Sequence, residues 1–94
     1  MDMKDAKITI SDSAKEKIKE IEESGLYLKV DMGKSGCCSY SFEMYPDKLR
    51  GDDELFVVDG HELIFTKEAQ LFAKKLDIDY GRKGLFNGFI GHTE

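Results

Sequence analysis

The chain has 94 residues, 14 Lys and Arg against 19 Asp and Glu, and a net charge of −5. Its length suits one domain, expected over residues 1–94, that buries about two-thirds of its unfolded surface without staples. The interspersed acidic balance excludes a nucleic-acid footprint, and the charged start Met1-Asp2-Met3-Lys4-Asp5 lacks a signal-peptide apolar run. No stretch approaches a membrane-spanning length, and two free thiols suit a reducing cytoplasm.

Lys7-Ile8-Thr9-Ile10 is short and β-branched, which predicts a strand. Ser13 and Glu16 then have capping-box spacing, and Ala14, Ile18 and Ile21 recur at i, i+4 and i+7 on one helical face. Lys15, Glu16, Lys19, Glu20 and Glu23 cover the opposite face, and Gly25 supplies the stop. From Leu26 the period changes to two. Leu26, Leu28, Val30 and Met32 face one way, while Tyr27, Lys29 and Asp31 face the other.

A glycine-bearing loop, Met32 to Tyr40, holds both cysteines, Cys37 and Cys38. Tyr40, Phe42 and Met44 then alternate with Ser39, Ser41 and Glu43, so a second strand runs back until Pro46 helps to end it. Asp47 to Glu54 reads as a solvated loop. Leu55-Phe56-Val57-Val58 and Glu62-Leu63-Ile64-Phe65 flank Asp59-Gly60, a strong hairpin signal that places His61 as a surface residue at the turn. Thr66 caps a second helix with Ala69, Phe72, Ala73 and Leu76 on its buried face. Ile78-Asp79-Tyr80 restarts the strand period, and Gly81, Gly84, Gly88 and Gly91 punctuate a tail of short strands and tight turns. No internal repeat of useful length is visible.

The chemistry concentrates at the cysteine loop. Adjacent Cα atoms lie about 3.8 Å apart, whereas a disulfide wants roughly 4.4–6.8 Å. Three uses remain: independent thiols, a soft metal or cluster ligand set completed from elsewhere, or one reactive thiol beside a passive neighbour. Soft thiolates select iron-sulfur clusters, Zn or Cu(I), and a cluster normally takes about four of them. A nucleophilic or redox-sensing thiol is a competing reading, but no Cys-His pair stands at a defensible spacing. A third reading is a protein-binding module without metal, anchored by Tyr27, Tyr45 or Phe86.

The order strand, helix, strand, cysteine loop, strand, hairpin, helix and glycine-rich end resembles the HesB-like family, which includes the A-type iron-sulfur cluster carriers. The residues that carry the resemblance are Ile8-Thr9-Ile10-Ser11-Asp12-Ser13-Ala14, Ser35-Gly36-Cys37-Cys38-Ser39, Ile78-Asp79-Tyr80 and Gly84-Leu85-Phe86-Asn87-Gly88-Phe89. It implies a β-rich α+β fold, a compact mixed-strand sandwich or barrel with two amphipathic helices against it. Cys37 falls on the family cysteine and Cys38 on the serine of the family's Gly-Gly-Cys-Ser-Gly loop. Family carriers add a Cys-Gly-Cys near their ends, a motif that this sequence lacks; it resembles a branch without it. The implied function is binding or assembly of iron or an iron-sulfur cluster through Cys37 and Cys38, without enzymatic activity. The expected partners are a second copy in a homodimer and iron-sulfur assembly or recipient proteins. His92, the other borderline ligand at that end of the sequence, is a further metal candidate, since imidazole replaces thiolate in some clusters.

Overall fold

The computed structural model describes residues 6–35, 39–51, 53–83 and 85–92. Strand β1 (Lys7–Ile10) leads into helix α1 (Asp12–Glu23), then β2 (Tyr27–Ser35) and β3 (Ser39–Asp47). The hairpin β4 (Glu54–Val58) and β5 (His61–Phe65) follows, then α2 (Lys67–Phe72), β6 (Lys75–Lys83) and β7 (Phe86–His92). The strands form two sheets, one in the order β1-β6-β7 and one in the order β3-β2-β5-β4. The β-rich α+β expectation is thereby met.

Helix α1 buries Ala14, Ile18 and Ile21, the face its periodicity marks, between the sheets. Its cap is Ser11 rather than Ser13: the Ser11 hydroxyl accepts from the Ala14 N–H at 3.2 Å. The capping-box spacing is displaced because Ser11 is held first by β6, its N–H donating to the Ile78 carbonyl at 2.9 Å. Gly25 ends the helix region at φ +85°, a conformation an L side chain resists. Leu28 and Val30 of β2 are fully buried, as the alternation requires, and each such side chain contributes about 1.5–3 kcal/mol.

Three sequence expectations shift. Strands β2 and β3 stay paired from Tyr27↔Asp47 to Ser35↔Ser39, so the loop is far shorter than Met32 to Tyr40. Pro46 sits inside β3, opposite Leu28, because β3 is an edge strand where a ladder N–H can be spared. The second helix stops at Phe72, which is half exposed, and Leu76 enters the core from β6 instead. Parallel pairing of β6 with β1 begins at Lys75↔Lys7 and competes with a further helical turn, which six residues are too few to favour unaided.

The Asp59-Gly60 turn joins β4 to β5 as expected, with φ of +50° and +81° at the two central residues. His61 is more than a surface residue. Its Nδ1 lies 2.9 Å from Glu22 Oε1, so the turn is tied to the end of α1.

The two sheets contain a repeat that the sequence conceals. The unit β1-α1-β2-β3 and the unit β5-α2-β6-β7 have the same element order. Each exchanges its first strand: β1 runs parallel beside β6, and β5 runs parallel beside β2. Strand β4 stands outside the repeat, added to the far edge of β5.

Candidate functional site

The site is built at the end of the β2–β3 hairpin. Nine consecutive cross-strand pairs deliver Ser35 and Ser39 side by side, and the residues between them carry both thiols. Cys37 and Cys38 themselves lie outside the described residues. Among the described residues no three His, Cys, Asp or Glu come together as a metal-binding group.

What holds this hairpin is an acid–hydroxyl clamp that the sequence reading missed. The Thr66 hydroxyl accepts from the Ala69 N–H at 3.1 Å, capping α2, and donates to Asp31 Oδ1 at 3.0 Å. Asp31 Oδ1 also accepts from the Met32 N–H at 2.7 Å, while the Thr66 N–H donates to the Val30 carbonyl. One hydroxyl thus pins the start of α2 to the middle of β2. Further along the same face the Glu43 side chain lies across Gly33, where a Cβ would collide with its carboxylate. The opposite end of the hairpin is held by Lys29, 3.4 Å from Asp47 and 3.1 Å from Asp53. The hydrogen bond to Asp53 raises the Lys29 pKa, against the desolvation that would lower it.

The same clamp recurs at the other unit. The Ser11 hydroxyl donates to Asp79 Oδ1 at 2.7 Å, and Asp79 Oδ1 accepts from the Tyr80 N–H at 2.8 Å. The Ser11 hydroxyl, the Tyr80 N–H and, more weakly, the charge of His92 hold the Asp79 carboxyl below its ordinary range. The only sequence signal for either clamp was a hydroxyl residue three before an Ala at the start of each helix. The acids lie 35 and 68 residues away along the chain.

His92 is exposed at the end of β7, paired with Asp77. Strand β7 flanks β3 in the opposite direction: Gly91 backs onto Phe42 and Met44, whereas Asn87, Gly88 and Phe89 share a hollow with Met44, Tyr45 and Pro46. The end of β7 therefore lies beside the start of β3, and His92 belongs to the same end of the molecule as the connection that follows Ser35. The tip of the β6–β7 hairpin lies at the opposite end.

A family model described as iron-sulphur cluster biosynthesis matches residues 6–92, nearly the whole chain. The chain belongs to this family. Among curated relatives, the mitochondrial iron-sulfur cluster assembly 1 homolog of Columba livia is 33% identical over 89 residues, covering 90% of this chain and 67% of that one. The iron-binding protein IscA of Yersinia enterocolitica is 27% identical over 86 residues, covering 87% of this chain and 80% of that one. Among solved structures, Escherichia coli SufA, described as involved in biosynthesis of iron-sulfur clusters, superposes with a TM-score of 0.71 at 24% identity, covering 92% and 79% of the two chains. IscA with a [2Fe-2S] cluster superposes with a TM-score of 0.63 at 16% identity, covering 90% and 80%. These two likenesses establish the family's fold. No helix among the described residues is long and apolar enough to cross a membrane.

Proposed function

We propose that this member of the iron-sulphur cluster biosynthesis family takes iron or an iron-sulfur cluster as cargo at the β2–β3 connection, through Cys37 with Cys38 assisting. The observation that supports it is the coincidence of the family match over residues 6–92 with the fully paired β2–β3 hairpin, between whose strands the sequence carries both cysteines. Thiolate suits iron and sulfide chemistry, and the surrounding strands supply a rigid base for it. The chain acts as a carrier rather than an enzyme, in a reducing compartment, handing its cargo between iron-sulfur assembly and recipient proteins. Two thiols per chain fall short of four thiolate ligands, so cargo binding joins two copies at their cysteine connections, or else recruits His92 or a small external thiol.

Anaerobic reconstitution with iron and sulfide tests this. Wild-type protein binds both, Cys37→Ser binds none, and Cys38→Ser binds less; equal retention in the two variants overturns the assignment. Reconstituted protein sediments as a larger species that loosens on chelation. If it holds a cluster as a monomer, the ligand set includes His92 or an external thiol, and His92→Ala decides between them.

A further inference from the structure

Four lysines of this acidic chain gather where α2 gives way to β6. Lys67 and Lys74 flank Leu71 and Phe72 along the sequence, and Lys75 opens β6. The Lys7 N–H donates to the Lys74 carbonyl at 2.8 Å and the Lys74 N–H to the Phe72 carbonyl at 2.9 Å, which adds the start of β1 to the group. Parallel pairing then sets Lys7 directly opposite Lys75, so that like charges meet. Among the described residues Lys7, Lys67 and Lys74 make no ion pair, whereas Lys15, Lys17, Lys29 and Arg50 each have an acidic partner. Glu68 and Asp77 are the acids of these segments, and the Asp77 carboxylate already accepts from the Thr9 hydroxyl. In the middle of the lysines Leu71 and Phe72 are 57% and 51% exposed, while Ala69 and Ala73 beside them are fully buried. The helix thus buries its small apolar residues and turns its large ones outward, against the ordinary order.

We propose that this face is a docking site for an acidic segment of a partner protein, one that sets carboxylates on Lys7, Lys67 and Lys74 and an apolar side chain on Leu71. Charge decides the occupant. A second copy meeting it face to face brings the same lysines and is repelled. An anionic bilayer attracts lysines too, but it is a broad surface that also meets the acidic remainder of a chain whose net charge is −5. Binding to a bilayer scales with buried apolar area, of which a six-residue helix with two large exposed side chains supplies little. A narrow acidic segment reaches the lysines alone. Opposite charge steers the encounter and sets its orientation, and the apolar contact holds the complex once water is expelled. Strand β6 begins two residues before the Asp77↔His92 pair, so the face lies at the end of the molecule that carries His92 and the connection following Ser35. A partner seated there stands at the end that carries the proposed cargo site, yet docking is a property of this face and holds whether or not the cysteines bind iron.

Fluorescence anisotropy of a short labelled peptide with one Leu and one Phe among glutamates, titrated with reduced, chelator-treated protein, tests the proposal. Wild type binds it saturably, less tightly as salt is raised, and does not bind the same peptide with lysines in place of the glutamates. Lys67→Glu combined with Lys74→Glu weakens binding roughly tenfold or more, and Leu71→Ser roughly threefold to tenfold. Both variants melt as wild type does, because the altered side chains are exposed. Lys15→Glu combined with Lys19→Glu, on α1, binds nearly as wild type. Cys37→Ser combined with Cys38→Ser also binds as wild type, which separates docking from cargo binding. Absence of binding by wild type, or equal binding by the variant with both α2 charges reversed, overturns the proposal. So does a wild type that ignores the peptide but sediments with phosphatidylserine vesicles, or one whose self-association Leu71→Ser abolishes, since each names a different occupant.

Discussion

The two strand–helix–strand–strand units share a clamp and differ in almost everything it supports. In each, a hydroxyl caps a helix and simultaneously donates to an aspartate on the strand borrowed from the other unit: Ser11 to Asp79, Thr66 to Asp31. Around these equivalent clamps, α1 has 12 residues with three buried side chains, while α2 has six with only Ala69 buried. The hairpins that follow end in Cys37 and Cys38 in one unit and in Leu85 and Phe86 in the other. The clamp is therefore the frame the two units share, and the connections within their hairpins are where they differ. One connection carries two cysteines and the other an exposed Leu and Phe.

The largest contrast to test lies in the helices. Ile18→Asp puts a carboxylate at a fully buried position of α1 and is expected to cost several kcal/mol, much of a small domain's 5–15 kcal/mol or so. Leu71→Asp, on the exposed side of α2, should change stability by no more than about 0.5 kcal/mol. Denaturant melts of the two variants measure the difference, and equal losses would show that α2 is packed as α1 is.

The clamps come next. Thr66→Ala removes a buried cap and a donor to Asp31, with an expected loss of about 1–2 kcal/mol. Ser11→Ala removes the less buried counterpart and should lose about 0.5–1 kcal/mol. Chemical denaturation ranks them, and a larger loss at Ser11 would reverse the reading of which clamp contributes more to stability.

A smaller, pH-dependent effect is expected at the first clamp. The Asp79 carboxyl is lowered in the folded chain, chiefly by the Ser11 hydroxyl, relative to about 3.9 when unfolded. Its contribution is therefore complete above the unfolded value and is lost as pH falls through the folded one. In Ser11→Ala the carboxyl titrates closer to its ordinary value, and the acid transition followed by circular dichroism moves to higher pH. Carboxyl chemical shifts of Asp79 give the same answer at the atom; an unmoved titration would mean that the Tyr80 N–H and the charge of His92 set it without Ser11.

The smallest contrast concerns glycines at corresponding places on β2 and β6. Gly33→Ala must displace the Glu43 side chain, a flexible group, and is expected to cost at most about 0.5 kcal/mol. Gly81→Ala meets open space and should be neutral or slightly stabilising, since glycine weakens a strand interior. Paired melting curves distinguish them.

Local patterns in the sequence determined most of the elements. The i, i+4, i+7 recurrence of Ala14, Ile18 and Ile21, the alternation through Leu28 and Val30, and Asp59-Gly60 each express a preference of neighbouring residues, and neighbours are what a sequence displays. The grouping of Cys37 and Cys38 at a strand-to-strand connection was legible for the same reason. Where local signals compete, the tertiary structure decided: Ser11 displaced Ser13 as the cap, and Leu76 joined β6 although it completes a helical face on paper. The internal repeat lay beyond reach altogether, because it consists of exchanged parallel strands and of hydroxyl–acid contacts between residues 35 and 68 positions apart. Which residues point the same way is written along the chain, but which strands become neighbours is settled only when the two sheets close on a common core.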